Sequence, residues 1–519
     1  MDTRVTKKKL GLKDRYAAMT RGLAWETTYQ PMDKVFPYDK YEGIKIHDWD
    51  KWQDPFRLTM DAYWKYQGEK EKKLYAVIEA FAQNNGQLGV SDARYINALK
   101  LFIQGVTPLE YYAHRGFAHV GRQFTGEGAR VAAQMQSIDE LRHYQTETHA
   151  LSHYNKYFNG LHHSHHWFDR VWYLSVPKSF FEDAITGGPF EFLVAVSFSF
   201  EYVLTNLLFV PFMSGAAHNG DMSTVTFGFS AQSDESRHMT LGIECIKFLL
   251  EQDPDNVPIV QRWIDKWFWR GYRLLTLVAM MQDYMLPKRV MSWKEAWEMY
   301  AEQNGGALFK DLARYGIREP KGWKDACEGK DHISHQAWNT FYNYSAAAAF
   351  HTWVPSDEEM DWLAEKYPTS FNQMHRPRLE HYREQQQAGK RFYSKTLPML
   401  CNTCQIPMFF TEPGDPTKIC YRESDWRGNK HHFCSDHCKE IFDHEPEKYV
   451  QSWLPVHQIY QGNCFDPGTD PTAEGFDPLI AVLQHYQLNI GADNFDFEGS
   501  QDQKNFAAWR GEAPQGEQA

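Results

Sequence analysis

The apolar positions between residues 61 and 360 recur mostly at the spacing of α-helices. The segment DAYWKYQGEKEKKLYAVIEAFAQNNG is amphipathic with this period and ends at Asn-Asn-Gly, a helix-stop signal. Further helices are predicted over residues 91–124, where Pro108 introduces a kink, and over 126–158, 189–216, 223–252 and two later stretches. Strand-like alternation is scarce. The pattern therefore predicts an all-α bundle of long helices.

One stretch, residues 190–213, is apolar on all sides: FEFLVAVSFSFEYVLTNLLFVPFM. It is long enough to cross a membrane, but it carries Glu191, Glu201 and Asn206, and no other segment resembles it. Such a helix is typical of the buried centre of a globular protein, so we expect no membrane contact. Glu201 would then need a partner, because an unpaired buried carboxylate is costly, and a metal cation is one such partner.

Changes in composition predict four regions. Residues 1–60 form an N-terminal arm packed on something larger, and residues 61–394 form the helical domain. Residues 395–450 form a small cysteine-containing module, and residues 451–519 form an irregular tail rich in Asp, Gly, Pro and Gln.

Composition excludes several classes of protein. The 519 residues are 42% hydrophobic and 24% charged, which rules out a wholly disordered chain. The net charge of -12 and the lack of a basic stripe argue against nucleic-acid binding. The basic N-terminus lacks the apolar segment of a secretory signal, and eight cysteines are too sparse for a disulfide scaffold. We therefore expect the protein to reside in a reducing cytoplasm.

A repeated motif is the most specific signal. Residues 139–143 read DELRH and residues 234–238 read DESRH. The spacing of three places Glu140 with His143, and Glu235 with His238, on one face of a helix. Two such copies arise by chance roughly once in 100,000 sequences of this composition. The alternative to a ligand function is a set of ion pairs on the surface of a duplicated bundle.

Each motif follows a helix that carries another glutamate. Glu110 lies 30 residues before Glu140, and Glu201 lies 34 residues before Glu235. Two antiparallel helix pairs would bring together four carboxylates and two imidazoles, the ligand set of di-iron and di-manganese bundles. Four carboxylates also balance two divalent cations, and ligands rich in oxygen favour iron or manganese over zinc or copper.

The other charged motif residues predict support for this site. Asp139 and Asp234 are positioned to accept a hydrogen bond from the non-ligating nitrogen of a histidine, and Arg142 and Arg237 to pair with those aspartates. Simple structural ion pairs are the alternative, and both interpretations can hold together.

Cysteines predict a second metal site. CNTC at 401–404 and CSDHC at 434–438 have the spacing of a tetrahedral four-cysteine zinc site, with a redox disulfide as the alternative. The ligands would be Cys401, Cys404, Cys434 and Cys438. Four thiolates leave no open position, so the zinc would be structural. The sequence around the second cysteine pair resembles the YHS-type metal module.

A histidine run, with His162, His163, His165 and His166, has no carboxylate partner in the sequence nearby and is predicted to be a solvated or interface loop.

The order Glu110, DELRH, Glu201, DESRH resembles the bacterial multicomponent monooxygenases. The resemblance is to the large (α) hydroxylase subunit, most of all to the phenol hydroxylases, and it covers most of the chain. It implies a ferritin-like helix bundle with a carboxylate-bridged diiron site. One iron would be held by Glu110, Glu140 and His143, and the other by Glu201, Glu235 and His238. The paralogous β subunit of the family lacks these ligands.

The resemblance also implies roles near the irons. Thr205 matches an active-site threonine linked to oxygen activation or proton delivery, and Asn206 matches an asparagine implicated in proton or water access. The positions that match the substrate cavity are Val106, which is gate-like, and Ala113, Phe180, Phe200 and Phe209. For each of them ordinary helix packing is the alternative.

The implied reaction is hydroxylation of phenol, alkylphenols or related arenes to catechols with O2. Its two electrons must come from outside, because the chain has no Gly-x-Gly-x-x-Gly nucleotide site and no iron–sulfur cysteine set. The resemblance implies a separate NADH-dependent reductase with FAD and a 2Fe-2S cluster, a small regulatory protein, and β and γ subunits in an (αβγ)2 complex. Toluene, alkenes and methane stay open as substrates. A ribonucleotide reductase small subunit, an iron store and a non-catalytic scaffold are the rivals in other classes.

Overall fold

The computed structural model describes residues 10–23, 27–36, 43–54, 56–90, 92–158, 161, 174–287, 289–343, 354–388, 399–450 and 474. These residues are mostly helical, which confirms the predicted fold class. The histidine run at 162–166 and nearly all of the predicted tail lie outside the described residues.

The helices are numbered here in chain order. They are α1 Leu12–Thr20, α2 Met32–Val35, α3 Met60–Gln83, α4 Ala93–Gln123, α5 Glu127–Tyr154, α6 Ser175–Ile185, α7 Pro189–Leu193, α8 Asn206–His218, α9 Met222–Gln252, α10 Asn256–Met280, α11 Trp293–Ala296, α12 Gly306–Leu312, α13 Trp323–Gly329, α14 Ile333–Asn343, α15 Asp357–Lys366, α16 Arg376–Gln387, α17 Asp436–His444 and α18 Pro446–Val450. Wider π-helical turns cover Val194–Tyr202, Met281–Met285, Trp297–Gly305 and Phe371–His375. The strands are β1 Thr411–Glu412, β2 Asp415–Ile419, β3 Arg422–Trp426 and β4 Asn429–Phe433, paired antiparallel as β1–β2 and β3–β4.

Local sequence explains several helix ends. Helix α3 ends at Gln83 with Asn84 as its C-cap, and Asn85 then takes the left-handed conformation with φ 52°, which asparagine tolerates better than most residues. The Asp92 side chain caps α4 by accepting from the Arg94 backbone N–H. Helix α4 then continues through Pro108 as one helix of 31 residues.

The prediction of a single helix over residues 189–216 is wrong. Helix α7 passes into the π-helical segment Val194–Tyr202, and α8 begins only at Asn206. The two halves, Pro189–Tyr202 and Asn206–His218, are bent by 42°. A π-helical turn widens the backbone, and the regular 3.6-residue pattern does not predict it; such turns are frequent at functional sites. Glu201 lies in this segment and is buried.

The apolar stretch around this bend is buried in the core, as its composition predicts. In the described part of the chain, no single helix combines the length and apolarity needed to span a membrane, and only the bent pair passes that test when both halves are taken together.

The centre of the bundle is formed by α4, α5, α9 and the π-helical segment at 194–202, and α3 packs on α9. The arm lies against the bundle at residues 45–48, where the Gln252 side chain accepts from the backbone N–H groups of His47 and Asp48. The cysteine module docks on α10, where Arg270 donates to the Thr403 carbonyl and the Trp269 indole donates to Ser435.

Candidate metal centre

The two repeated motifs face each other inside the bundle. Helix α5 carries Glu140 and His143, and α9 carries Glu235 and His238; all four side chains are buried. The centroids of the two imidazole rings are 5.9 Å apart. The spacing of three in each helix thus presents two carboxylates and two imidazoles to one interior space.

The two further glutamates complete this space. Glu110 Oε2 lies 3.3 Å from His143 Nδ1, and Glu140 Oε2 lies 3.5 Å from the same nitrogen. Ligand atoms of Glu110, Glu140 and His143 lie within 4.8 Å of one another, as do those of Glu140, Glu201 and His238. Glu140 therefore belongs to both groups, whereas the resemblance to the monooxygenase family assigned it to one iron alone. A shared carboxylate is suited to bridging two cations.

Glu235 adjoins the second group through His238. Its Oε2 lies 3.5 Å from His238 Nδ1, and Glu140 Oε1 lies 3.2 Å from that nitrogen. Both Glu235 Oε2 and His238 Nδ1 are buried and have no hydrogen-bond partner among the described residues. A cation bound by both atoms would satisfy them, and it would remove the cost of burying unpaired polar groups.

The electrostatics of the centre also call for positive charge. Burial raises the pKa of Glu110 and of Glu201 well above the ordinary value, and the Glu235 carboxylate adds to the effect at Glu201. Burial alone would lower the pKa of both histidines, but the surrounding carboxylates raise it well above the usual range. Two divalent cations would neutralise four carboxylates. The residues present therefore fit a pair of metal ions with oxygen-rich ligands.

The aspartates of the motifs orient the histidines in a crossed arrangement. His143 Nε2 lies 3.1 Å from Asp234 Oδ2, and His238 Nε2 lies 3.4 Å from Asp139 Oδ2. Each motif thus supplies the hydrogen-bond acceptor for the histidine of the other motif. This contact places the Nε2–H toward aspartate and leaves Nδ1 free to face a metal.

Two arginines form ion pairs with the same two aspartates. Arg142 Nη1 lies 3.1 Å from Asp139 and 3.4 Å from Asp234, and Arg237 Nη2 lies 2.5 Å and 2.7 Å from the same two residues. The expected pairing is therefore present, with each arginine contacting both aspartates. The arrangement serves as an ion-pair network and orients the histidines at the same time.

Helix α3 contributes polar residues that the sequence reasoning missed. The Tyr63 hydroxyl donates to Asp139 at 2.7 Å, the Gln67 amide donates to both aspartates, and Lys70 lies 2.6 Å from Asp234. Positions 63, 67 and 70 lie on one face of the helix, so their polar character at core-facing positions was a usable signal.

Gln136 is a further missed residue. Its amide nitrogen donates to both oxygens of Glu201 at 3.0 Å and to Glu140 at 3.1 Å. It lies one turn before Glu140, where an inward-facing amide could have been noticed.

The predicted pocket residues are all buried or half-buried. Thr205 lies at the bend before α8, and Asn206 is half-buried, with Gln232 donating to its side chain at 3.4 Å. Val106 and Ala113 lie on α4, within a turn of Glu110 on either side. Phe180 and Phe200 are in ring contact at 5.5 Å, and Phe209 is buried on α8. These contacts are equally those of a packed core.

The four motif cysteines form a second centre. Cys401, Cys404, Cys434 and Cys438 are buried, and their sulfur atoms lie within 4.8 Å of one another. The Cys404–Cys434 and Cys434–Cys438 sulfur distances are 3.6 Å and 3.7 Å. A tetrahedral zinc site with Zn–S bonds of about 2.3 Å requires sulfur atoms about 3.8 Å apart. These two distances and the close grouping of all four sulfur atoms therefore fit a zinc site.

Comparison with known proteins agrees with this geometry. The model of the family Methane/Phenol/Alkene Hydroxylase matches residues 25–253, and the YHS domain model matches residues 410–453, beginning after the first cysteine pair. The oxygenase component DmpN of phenol 2-monooxygenase from Pseudomonas sp. (strain CF600) is 65% identical over 98% of this chain and 96% of its own length. The alkene monooxygenase oxygenase component subunit alpha from Xanthobacter autotrophicus (strain ATCC BAA-1158 / Py2) is 26% identical over 84% and 88%.

A solved structure supports the same relationship. The crystal structure of xenon-pressurized phenol hydroxylase from Pseudomonas sp. OX1 superposes with a TM-score of 0.90 at 66% identity, covering 96% of this chain and all of that one. The fold and the carboxylate–histidine centre define a diiron hydroxylase. This chain belongs to the methane, phenol and alkene hydroxylase family, and it is a monooxygenase.

Proposed function

We propose that this chain is the catalytic oxygenase subunit of a phenol hydroxylase, which converts phenol and alkylphenols to catechols with O2. The observation that carries the proposal is the gathering of all six predicted ligands, Glu110, Glu140, His143, Glu201, Glu235 and His238, in one buried space of a chain that is 65% identical to a phenol 2-monooxygenase oxygenase component. The alkene monooxygenase relative, at 26% identity, gives weaker support for an alkene as substrate.

The metal ligands follow from the two groups of side chains. Glu110 and His143 would hold one iron, Glu201, Glu235 and His238 the other, and Glu140 would contribute to both. When bound, the two irons supply the activation of O2. Gln136 restrains the Glu201 carboxylate, and the crossed aspartates keep each His Nδ1 turned toward the irons.

The apolar surroundings exclude water and receive the aromatic ring. Val106, Ala113, Phe180, Phe200 and Phe209 are proposed to line the substrate pocket, because they are buried and come from the helices that carry or adjoin the ligands. Thr205 and Asn206, at the bend that follows Glu201, are proposed to hold or transfer a proton.

The remaining components complete the system. We propose one structural zinc on the four cysteines, and a separate NADH-dependent reductase with FAD and a 2Fe-2S cluster as the electron source. We also propose a small regulatory protein, and β and γ subunits in an (αβγ)2 assembly. The relative from Pseudomonas sp. (strain CF600) is the oxygenase component of its enzyme, which supports the existence of partner components here. A cytoplasmic location is proposed because cysteines are sparse and the seven described ones form no disulfide.

The first test measures metals and product together. The hydroxylase purified with its subunits should contain about two irons and one zinc per chain, and should form catechol from phenol with O2, NADH and reductase. Glu235→Ala should lose iron and product formation but keep zinc, while Glu358→Ala, at an exposed position of α15, should change neither. Hydroxylation by Glu235→Ala would refute the ligand assignment. An iron-replete protein that oxidises toluene or alkenes but not phenol would refute the substrate.

A further inference from the structure

Glu147 is a buried carboxylic acid that the metal centre does not use. It lies on α5 one turn beyond His143, and only 2% of its surface is exposed. Neither of its carboxylate oxygens has a hydrogen-bond partner among the described residues. Buried polar groups in folded proteins are nearly always satisfied, so this carboxyl calls for a partner that the described residues do not provide.

The register of α4 against α5 locates this carboxyl relative to the metal centre. The two helices run antiparallel, and His114 contacts Ser137 while Glu110 contacts His143. The next layer along the same pair of helices sets Thr107 opposite Glu147. That layer is about 5 Å, one helical turn, from the layer of Glu110 and His143.

Thr107 is a second buried polar residue in this layer. Its hydroxyl is also buried and has no hydrogen-bond partner in the part of the chain that the structure describes, although it is near enough to Glu147 to affect the pKa of that carboxyl. Burial raises the pKa of Glu147 to about 7, and the Thr107 hydroxyl opposes that rise. The neighbouring Val106 belongs to the proposed substrate pocket. Two polar groups thus lie one helical turn from the proposed irons, and one of them is next in sequence to a residue of that proposed pocket.

A phenol has the complementary chemistry. Its ring requires apolar contacts, and its single hydroxyl requires one hydrogen-bond partner inside the protein. A carboxyl oxygen accepts that hydrogen in either protonation state. We propose that Glu147, supported by Thr107, binds the hydroxyl of the phenolic substrate, so that the site selects hydroxylated rings and fixes which ring carbon faces the irons.

The inference rests on the proposed function and makes it more specific. A site built to hydrogen-bond a substrate hydroxyl discriminates strongly against an analogue that lacks it, because its own buried group is then left unpaired. Benzene is that analogue for phenol. Discrimination between the two rings is therefore the property that Glu147 should control, whereas loss of iron or of folding would reduce both rates together.

The test uses the complete hydroxylase with its reductase and regulatory protein. Glu147→Leu should lower kcat/KM for phenol by about tenfold or more while leaving benzene hydroxylation unchanged or raised, and products of phenol other than catechol should appear. Glu147→Gln keeps an acceptor oxygen and should retain most of the preference for phenol. Thr107→Val should show a smaller loss than Glu147→Leu. Gln145→Leu, at an exposed position of the same helix, is the control and should behave as the wild type.

Each outcome decides the question. A parallel fall of both substrates at normal iron content, or an unchanged ratio, would overturn the role of Glu147 and leave a buried water as its partner. Failure of the iron-replete wild type to oxidise phenol would instead overturn the proposed function. If Glu147→Leu does not assemble, a crystal of the wild-type complex soaked with phenol decides: a phenol oxygen within about 3.2 Å of the Glu147 carboxyl supports the proposal, and a phenol bound elsewhere overturns it.

Discussion

Replacing Gly242 by alanine tests how closely the second motif helix approaches the π-helical segment that carries Glu201. A Cβ atom at Gly242 would lie 2.4 Å from the Ser197 carbonyl carbon and 2.5 Å from its oxygen. Ordinary contacts begin at 3.4 Å, and backbone atoms cannot rotate away. The two segments would therefore have to separate by about 1 Å, because protein interiors are close-packed.

The expected cost combines two opposing effects. Overpacking a core costs about 1–3 kcal/mol, and the better helix propensity of alanine returns about 0.5–1 kcal/mol. We expect Gly242→Ala to lower the free energy of unfolding by about 1–2 kcal/mol. Because Glu201 follows Ser197 in the same segment, it would also shift against Glu235 and His238. A displacement of this size can reduce hydroxylation by about 100-fold.

Gly68→Ala on α3 provides the matched control. A Cβ there meets no atom within 4 Å, so the substitution should raise the free energy of unfolding by about 0.5–1 kcal/mol. Urea unfolding, iron content and catechol formation would be measured for both variants side by side. If Gly242→Ala is as stable as Gly68→Ala and keeps its iron and activity, the reasoning from this close approach is refuted.

Three further substitutions test other parts of the structure. Asp234→Asn removes an anion from a buried cluster of cations, so it should lower the free energy of unfolding by about 3–5 kcal/mol, measured by urea unfolding. It should also weaken iron binding about 10–100-fold, measured by competition with a chelator. A loss of stability under about 1 kcal/mol would contradict this reasoning. Cys434→Ser should abolish zinc and leave two irons, measured by elemental analysis, and full retention of zinc would exclude the four-cysteine site. Burial alone would raise the pKa of Asp183, but the charges of Lys266 and Lys448 hold it well below its usual range. The ionised form of Asp183 therefore stabilises the fold above about pH 4, and this contribution declines as the pH falls further. Asp183→Asn should lower the urea midpoint at pH 7, with a difference from the wild type that narrows below about pH 4; a difference that is constant with pH would refute the charge argument.

The local pattern of apolar and polar residues was sufficient to predict most of the long helices. The 3.6-residue period predicted α3, α4, α5 and α9 within a few residues of their bounds, because each buries one continuous face. The exception is the bend between α7 and α8. Its residues are apolar on every side, so their periodicity carries no information about a change in helical pitch.

Part of the candidate site could also be predicted from local motifs, and part of it depends on how the helices pack. The motifs alone predict which side chains form each half, since Glu-x-x-His places a carboxylate and an imidazole on one helix face and Cys-x-x-Cys places two thiols on one turn. Those relations span a single turn of backbone, and they hold wherever the helix is placed. The same reasoning predicted the residue types that orient the histidines.

How the two halves of the site meet follows from the packing of the helices and not from the motifs. The crossed pairing of Asp139 with His238 and of Asp234 with His143, and the position of Glu140 between both groups, depend on the register of α5 against α9. The position of the Glu147 carboxyl opposite Thr107, without a hydrogen-bond partner among the described residues, likewise depends on the register of α4 against α5. Register between helices is set by the packing of side chains distant in sequence, and a periodic pattern along one helix does not encode it.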